Sequence, residues 1–203
     1  MASSAQATNL AAGATVTPTV LSNLTGYITG SAIADTGIVA YNTVSGSIVE
    51  KGSYEARVYK DATAGWLDFV YDFNEITSSS TAIASATIGV WTGFGADVYY
   101  VSSSPLAGTV VSYTSPAADT AQRSAAGDSV KFLFNTAGVG VGQSAEMLVR
   151  VQATNVIPGT YSLQNTIVSQ LSGFEPTNTP EPASYAMIGA GLLALGYFRR
   201  KSA

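Results

Sequence analysis

The stretch "WLDFVYDF" (Trp66–Phe73) decides the fold. Leu67, Phe69, Tyr71 and Phe73 fall on one side of an extended chain, and Trp66, Asp68, Val70 and Asp72 on the other. Eight residues of strict period two, rich in aromatic and β-branched side chains, read as a strand. One face is apolar. The other carries two carboxylates, which the alternation assigns to solvent, as in an antiparallel sheet with one wet side. The same period recurs in "SVKFLFN", where Val130, Phe132 and Phe134 face together. In "AEMLVRVQA", Met147, Val149 and Val151 oppose Leu148 and Arg150.

Outward from this stretch, short apolar runs alternate with Gly, Ser, Pro and Asp punctuation from Leu21 to Phe174. Strands are expected at 38–41, 47–50, 54–60, 66–73, 82–90, 97–101, 109–113, 129–135, 145–153 and 166–171. No part of this region has a helical period, and no repeat of 20–50 residues is present. Two antiparallel sheets packed face to face, a jelly-roll or immunoglobulin-like sandwich, are the natural closure. The expected all-β organisation is a flexible segment at 1–20, a sandwich at 21–174, a Pro/Thr linker at 175–182, an apolar helix at 183–198 and a basic tail at 199–203. Pro176, Pro180 and Pro182 are expected to keep the linker extended and out of any sheet.

Composition narrows the chemistry. The chain has 203 residues, 46% of them hydrophobic and only 11% charged, which argues against disorder. The net charge is −4, and basic residues are scattered until the last five positions, so a nucleic-acid footprint is missing. There is no Cys and no His. Disulfides, thiolate nucleophiles and Ser-His-Asp or Cys-His arrangements are thereby excluded. Asp68 and Asp72 stand about 13 Å apart along one strand, too far for a glycosidase pair. Glu50 and Glu55 flank Gly52 and read as a solvated hairpin. Asp119 and Asp128 bracket a polar loop that matches no calcium-binding pattern. Gly138, Gly140 and Gly142 read as a hairpin loop and not a phosphate cradle, because strand residues follow them. None of Lys51, Lys60 and Lys131 has a local sign of pairing with a serine. No catalytic residue, metal site or cofactor is expected. Trp91 and Phe94, beside Gly89, Gly93 and Gly95, are the one candidate ligand platform; core packing is the competing reading.

The carboxyl end reads differently. Pro180-Glu181-Pro182 precedes sixteen mostly apolar residues, Ala183–Phe198, and then Arg199, Arg200 and Lys201. As a helix the apolar run is about 24 Å long, against about 30 Å of bilayer hydrocarbon. Tyr185, Tyr197 and snorkelling arginines extend its reach. The terminal cations are expected in the cytoplasm, as a stop to transfer, with the sandwich outside.

In this order, "PEPASYAMIGAGLLALGYFRRK" resembles the PEP-CTERM sorting signal of Gram-negative bacteria. The resemblance implies an exported precursor, anchored transiently in the inner membrane through 183–198 and cut near the triplet by an exosortase. It implies a cell-surface or extracellular destination and an association with extracellular polysaccharide and biofilm. The family is usually exported through an amino-terminal signal peptide. Here "SSAQA" resembles the end of one, with Ala5 and Ala7 at the two small positions that signal peptidase reads. The expectation is that Met1–Ala7 is the remnant of such a signal. "LDFVYDF", "ATNVIPGTYSL" and "VSQLSGFEP" also resemble uncharacterised β-domains that carry this tail; that likeness names no activity. The expected function is a non-enzymatic surface or matrix protein. The alternatives are a carbohydrate-binding module and a hydrolase of unknown type.

Overall fold

A computed structural model of the chain describes residues 8–178 apart from 25–26, 29, 62–64, 76–78, 90, 105–117 and 135–136. Among the described residues there are fourteen strands and no helix. In chain order they are β1 Thr8–Leu10, β2 Thr15–Val16, β3 Thr19–Asn23, β4 Ala34–Asp35, β5 Val39–Ser45, β6 Ile48–Lys60 and β7 Leu67–Glu75. β8 Ser85–Gly89, β9 Ala96–Ser104, β10 Ala118–Arg123, β11 Ser129–Phe134, β12 Ser144–Val151, β13 Asn155–Gln164 and β14 Val168–Thr177 follow. The expected helix at 183–198 and the expected strand at 109–113 lie outside the described residues.

Two sheets result. One runs β1-β9-β12-β7-β6-β4, with β3 beside β9 and β5 beside β6; the other runs β14-β13-β8-β11-β10-β2. Every pairing is antiparallel except β3 with β9. Leu67, Phe69, Tyr71 and Phe73 on β7 and Met147, Val149 and Val151 on β12 meet Ile88, Val130, Phe132, Tyr161 and Leu163 of the other sheet in one core. The period-two faces read from the sequence are therefore the inner faces of the sandwich.

Four expectations need correction. Residues 8–20 are not a loose leader: β1, β2 and the start of β3 are built into the sheets, and Leu10 is in the core. Gly52 is not in a turn. It lies mid-strand in β6, where a Cβ would sit 1.8 Å from the Asn74 carbonyl and 2.6 Å from the Tyr41 hydroxyl, so only glycine fits. The turn is instead Gly46-Ser47, a two-residue hairpin loop closed by the Ser45–Ile48 pair, with Gly46 at φ 61°. The linker starts later than expected: β14 runs to Thr177, and Pro176 pairs with Val156. Proline is tolerated there because β14 is an edge strand and needs no outward donor. Last, 137–143 carries the chain from β11 in one sheet to β12 in the other, bridged to Ile83 through Val139; it is a crossover and not a hairpin loop.

The largest correction concerns the second face of β7. Asp68 and Asp72 are 0% exposed. Leu21, Leu24, Tyr27, Ile28 and Ala32 lie over this side of the larger sheet and pack on Val70, Tyr99, Val101 and Leu148 as a second apolar cluster. Both faces of β7 are covered.

Candidate functional site

Trp91 and Phe94 sit at one edge of the sandwich. The Phe94 amide donates to the Trp91 carbonyl (3.1 Å), and the Trp91 amide to the Asp128 carbonyl (3.0 Å). Gly93, at φ 86°, takes the left-handed position inside this turn. The Trp91 ring is 0% exposed and meets Phe69 edge-on, with centroids 5.0 Å apart. Its indole N–H donates to the Ile88 carbonyl at 3.1 Å. Trp91 is thus placed in the core and offers no platform.

Phe94 is half-buried, and lines a cleft of about 390 Å³ with Gly65, Gly93, Gly95, Gln152, Thr154 and Asn178. Among the described residues the lining carries no charged side chain. The Thr154 amide donates to the Asn178 side-chain oxygen (3.2 Å), which ties the exit of β14 to the cleft. The rim is held from beneath by Arg123, a residue the sequence reading passed over. Its guanidinium donates to the carbonyls of Leu10 (3.1 Å), Trp91 (2.8 Å) and Gly127 (3.0 Å), and also to that of Phe94. A fixed fork of five donors suits four converging carbonyls. The cleft can offer amide, hydroxyl and backbone hydrogen bonds beside one aromatic ring, a chemistry for an uncharged polar ligand.

The covered face of the larger sheet holds the charge. Strand register lines up Glu55, Asp72 and Glu146 across β6, β7 and β12, and Tyr59, Asp68 and Arg150 two rows away. Arg150 makes a two-pronged contact with Asp68, Nε at 2.7 Å and Nη2 at 3.1 Å, and an ion pair with Asp61. Its guanidinium carbon also lies 5.2 Å from the Tyr27 ring centre and 5.7 Å from that of Tyr99. Burial pushes the Asp68 carboxyl up to about 7, against the pull of Arg150. Arg57 stands 2.9 Å from Glu55 and 3.6 Å from Asp72. Burial raises Asp72 well above the carboxylate range; the charges of Glu146 and Glu55 add to the rise and Arg57 opposes it. A hint of this layer was legible: the charges four residues apart in "LDFVYD" (Asp68, Asp72) and in "AEMLVR" (Glu146, Arg150) share one face of each strand and stand opposite one another once the strands pair.

The remaining candidates disperse. Glu50 and Glu55 point to opposite faces of β6, and both are buried. Asp128 is taken up in the β10–β11 turn, accepting from the Ser124 hydroxyl, while Asp119 is exposed on β10. Among the described residues no group of three or more acidic side chains is arranged to hold a metal ion.

Pro180, Glu181 and Pro182, the apolar run and Arg199, Arg200 and Lys201 lie outside the described residues. Here comparison supplies what geometry does not. A family model for the PEP-CTERM protein-sorting motif matches residues 178–201. No curated protein and no solved structure matches the chain. The match begins at Asn178, so the sorting segment starts at the wall of the cleft. The chain carries a PEP-CTERM sorting signal: it is an exported precursor, processed by an exosortase and sorted to the cell surface or the extracellular space.

Proposed function

From the premise of an exosortase substrate, we propose that the sandwich is a non-enzymatic structural protein of the cell surface or the extracellular matrix, associated with extracellular polysaccharide. The sorting match over 178–201 carries this reading. The body supports it: a two-sheet domain lacking His and Cys, in which Asp68 and Asp72 are buried on the covered face of the larger sheet. In this reading Ala183–Phe198 supplies membrane affinity and Arg199, Arg200 and Lys201 stop transfer, since moving each cation to mid-bilayer costs roughly 2.5 kcal/mol or more on insertion scales. In the same reading an embedded enzyme recognises Pro180-Glu181-Pro182 outside the bilayer, where the two prolines disfavour helix.

Glu181→Ala is expected to leave insertion intact and block cutting, so that full-length chain accumulates in the inner membrane. Mass spectrometry of surface and membrane fractions decides. Wild-type protein recovered outside the cell with residues 183–203 still attached would overturn the reading. The non-enzymatic part fails if polysaccharide or ester turnover is found and one Asp or Glu substitution abolishes it.

A second reading, a carbohydrate-binding module, is favoured by the uncharged cleft at Phe94. Its test is glycan-array binding that is lost with Phe94→Ala while the unfolding midpoint is kept. Trp91→Ala is unsuited to this purpose, because it removes a core ring.

A further inference from the structure

Glu50 on β6 and Glu75 on β7 face the same side, inside one end of the sandwich. Glu75 pairs across the strands with Gly52, two residues from Glu50, which makes the two carboxyls diagonal neighbours with Cα atoms about 7–8 Å apart. Glu50 is 0% and Glu75 2% exposed. None of their four carboxyl oxygens accepts a hydrogen bond of good geometry, although the Ser169 hydroxyl stands near Glu50 and the Ser79 hydroxyl near Glu75.

The surroundings are polar, and among the described residues they supply no cation. From β5 come Tyr41, whose hydroxyl donates to the Asn74 carbonyl (2.9 Å), and Thr43, which bonds Ser169 of β14 (2.7 Å). The 79–81 stretch adds Ser79, engaged with the Lys51 backbone, and Thr81. On the crossover next to Glu75, the Gln143 side-chain oxygen accepts from the Gly140 amide (2.7 Å) and the Gln143 backbone amide donates to the Gly140 carbonyl (2.9 Å). Lys51, adjacent to Glu50 in β6, alternates to the opposite face. The titratable groups bearing on the pair are thus Tyr41 and the two glutamates themselves. Two buried ionised carboxylates without a cation repel each other and forfeit hydration. A proton on one of them relieves the repulsion and supplies a donor between the two carboxyls, which the Ser79 and Ser169 hydroxyls, engaged elsewhere, do not.

We propose that Glu50 and Glu75 retain a proton at neutral pH and act as an acid-closed latch on the seam where β5, β6 and β7 meet β14, which loosens when both carboxyls ionise. The electrostatics agree in sign. Burial, and then the Glu50 charge, raise Glu75 to about 8 with Ser79 opposing; burial raises Glu50 as well, with Ser169 opposing. A carboxyl raised on folding contributes stability that is complete below its unfolded value and is lost as pH climbs through its folded one. The pair titrates as a unit.

The test uses full-length chain in mild detergent. Thermal unfolding from pH 5 to pH 9 should give a midpoint that falls with pH. Glu75→Gln should flatten the fall and unfold at higher temperature than wild type at pH 9. Carbon-13 spectra of chain labelled at the glutamate carboxyls should contain a resonance that titrates near 8, disappears in Glu75→Gln and moves to lower pH in Glu50→Gln. Equal pH slopes in wild type and both variants would overturn the latch. So would a wild-type spectrum in which every glutamate titrates in the ordinary range, and that spectrum decides even if the variants do not fold.

Discussion

Arg123 joins pieces of chain that are far apart. Leu10, Trp91, Phe94 and Gly127 come together at one guanidinium, which keeps the rim of the cleft in one conformation. Arg123→Met would leave buried carbonyls without donors, at about 1–3 kcal/mol for each that no water reaches. Denaturant unfolding should register a loss on the order of 3 kcal/mol or more. Arg123→Lys should recover little of it, because the three donors of one compact ammonium cannot reach four carbonyls spaced around a planar guanidinium. An unchanged midpoint would mean that the rim holds without the fork. Asp68 poses a related case. Removing one partner of a buried, two-pronged pair strands the other, so Asp68→Ala should cost about 3–5 kcal/mol, and Asp68→Ala with Arg150→Met should cost less than Asp68→Ala alone.

Among the elements, β6 sets the geometry. Its thirteen residues carry β5 and β4 along one side and β7 along the other. Gly52 lets the Asn74 carbonyl and the Tyr41 ring close over the backbone at that point. Gly52→Ala should part β6 from β7 or displace Tyr41, a loss of about 1–3 kcal/mol or more by overpacking. Chemical denaturation of the variant checks it; a neutral result would show that the strand crossing yields. Gly46→Ala, with open space around the added methyl but φ 61°, strains the hairpin only through its backbone and should cost less.

The described residues form a sandwich with a third, partial layer: Leu21, Leu24, Tyr27, Ile28 and Ala32 roof the larger sheet and turn its outer face into an interior. The amino-terminal strands belong to the same unit. A chain starting at Leu21 loses Leu10 from the core, the carbonyl that Arg123 engages, and the partners of β9 and β10. It should unfold at a clearly lower temperature than a chain starting at Thr8, when both end at Asn178. Circular dichroism follows the two melts and should record sheet without helix in the longer one. Equal midpoints would mean that β1 and β2 are ornaments on the sandwich.

The sequence by itself determined the strand period, the all-β class, the inner faces of β7, β11 and β12, and the sorting signal with its ordered triplet, apolar run and basic end. These are local patterns, and each can be read within a few turns or strand lengths of chain. Only tertiary structure decided which faces are dry. Alternation says that Asp68 and Asp72 share a side; it does not say that Leu21, Leu24, Tyr27, Ile28 and Ala32 will cover that side, or that Arg150 will arrive opposite Asp68 from 82 residues away. Gly52 read as a turn for the same reason: the carbonyl and ring that exclude a side chain come from β7 and β5. Trp91 likewise went to the core because Phe69 and the Ile88 carbonyl complete its pocket. Burial is a property of what packs against a residue, and in a fold built from long-range strand pairs most of that packing is supplied by distant chain.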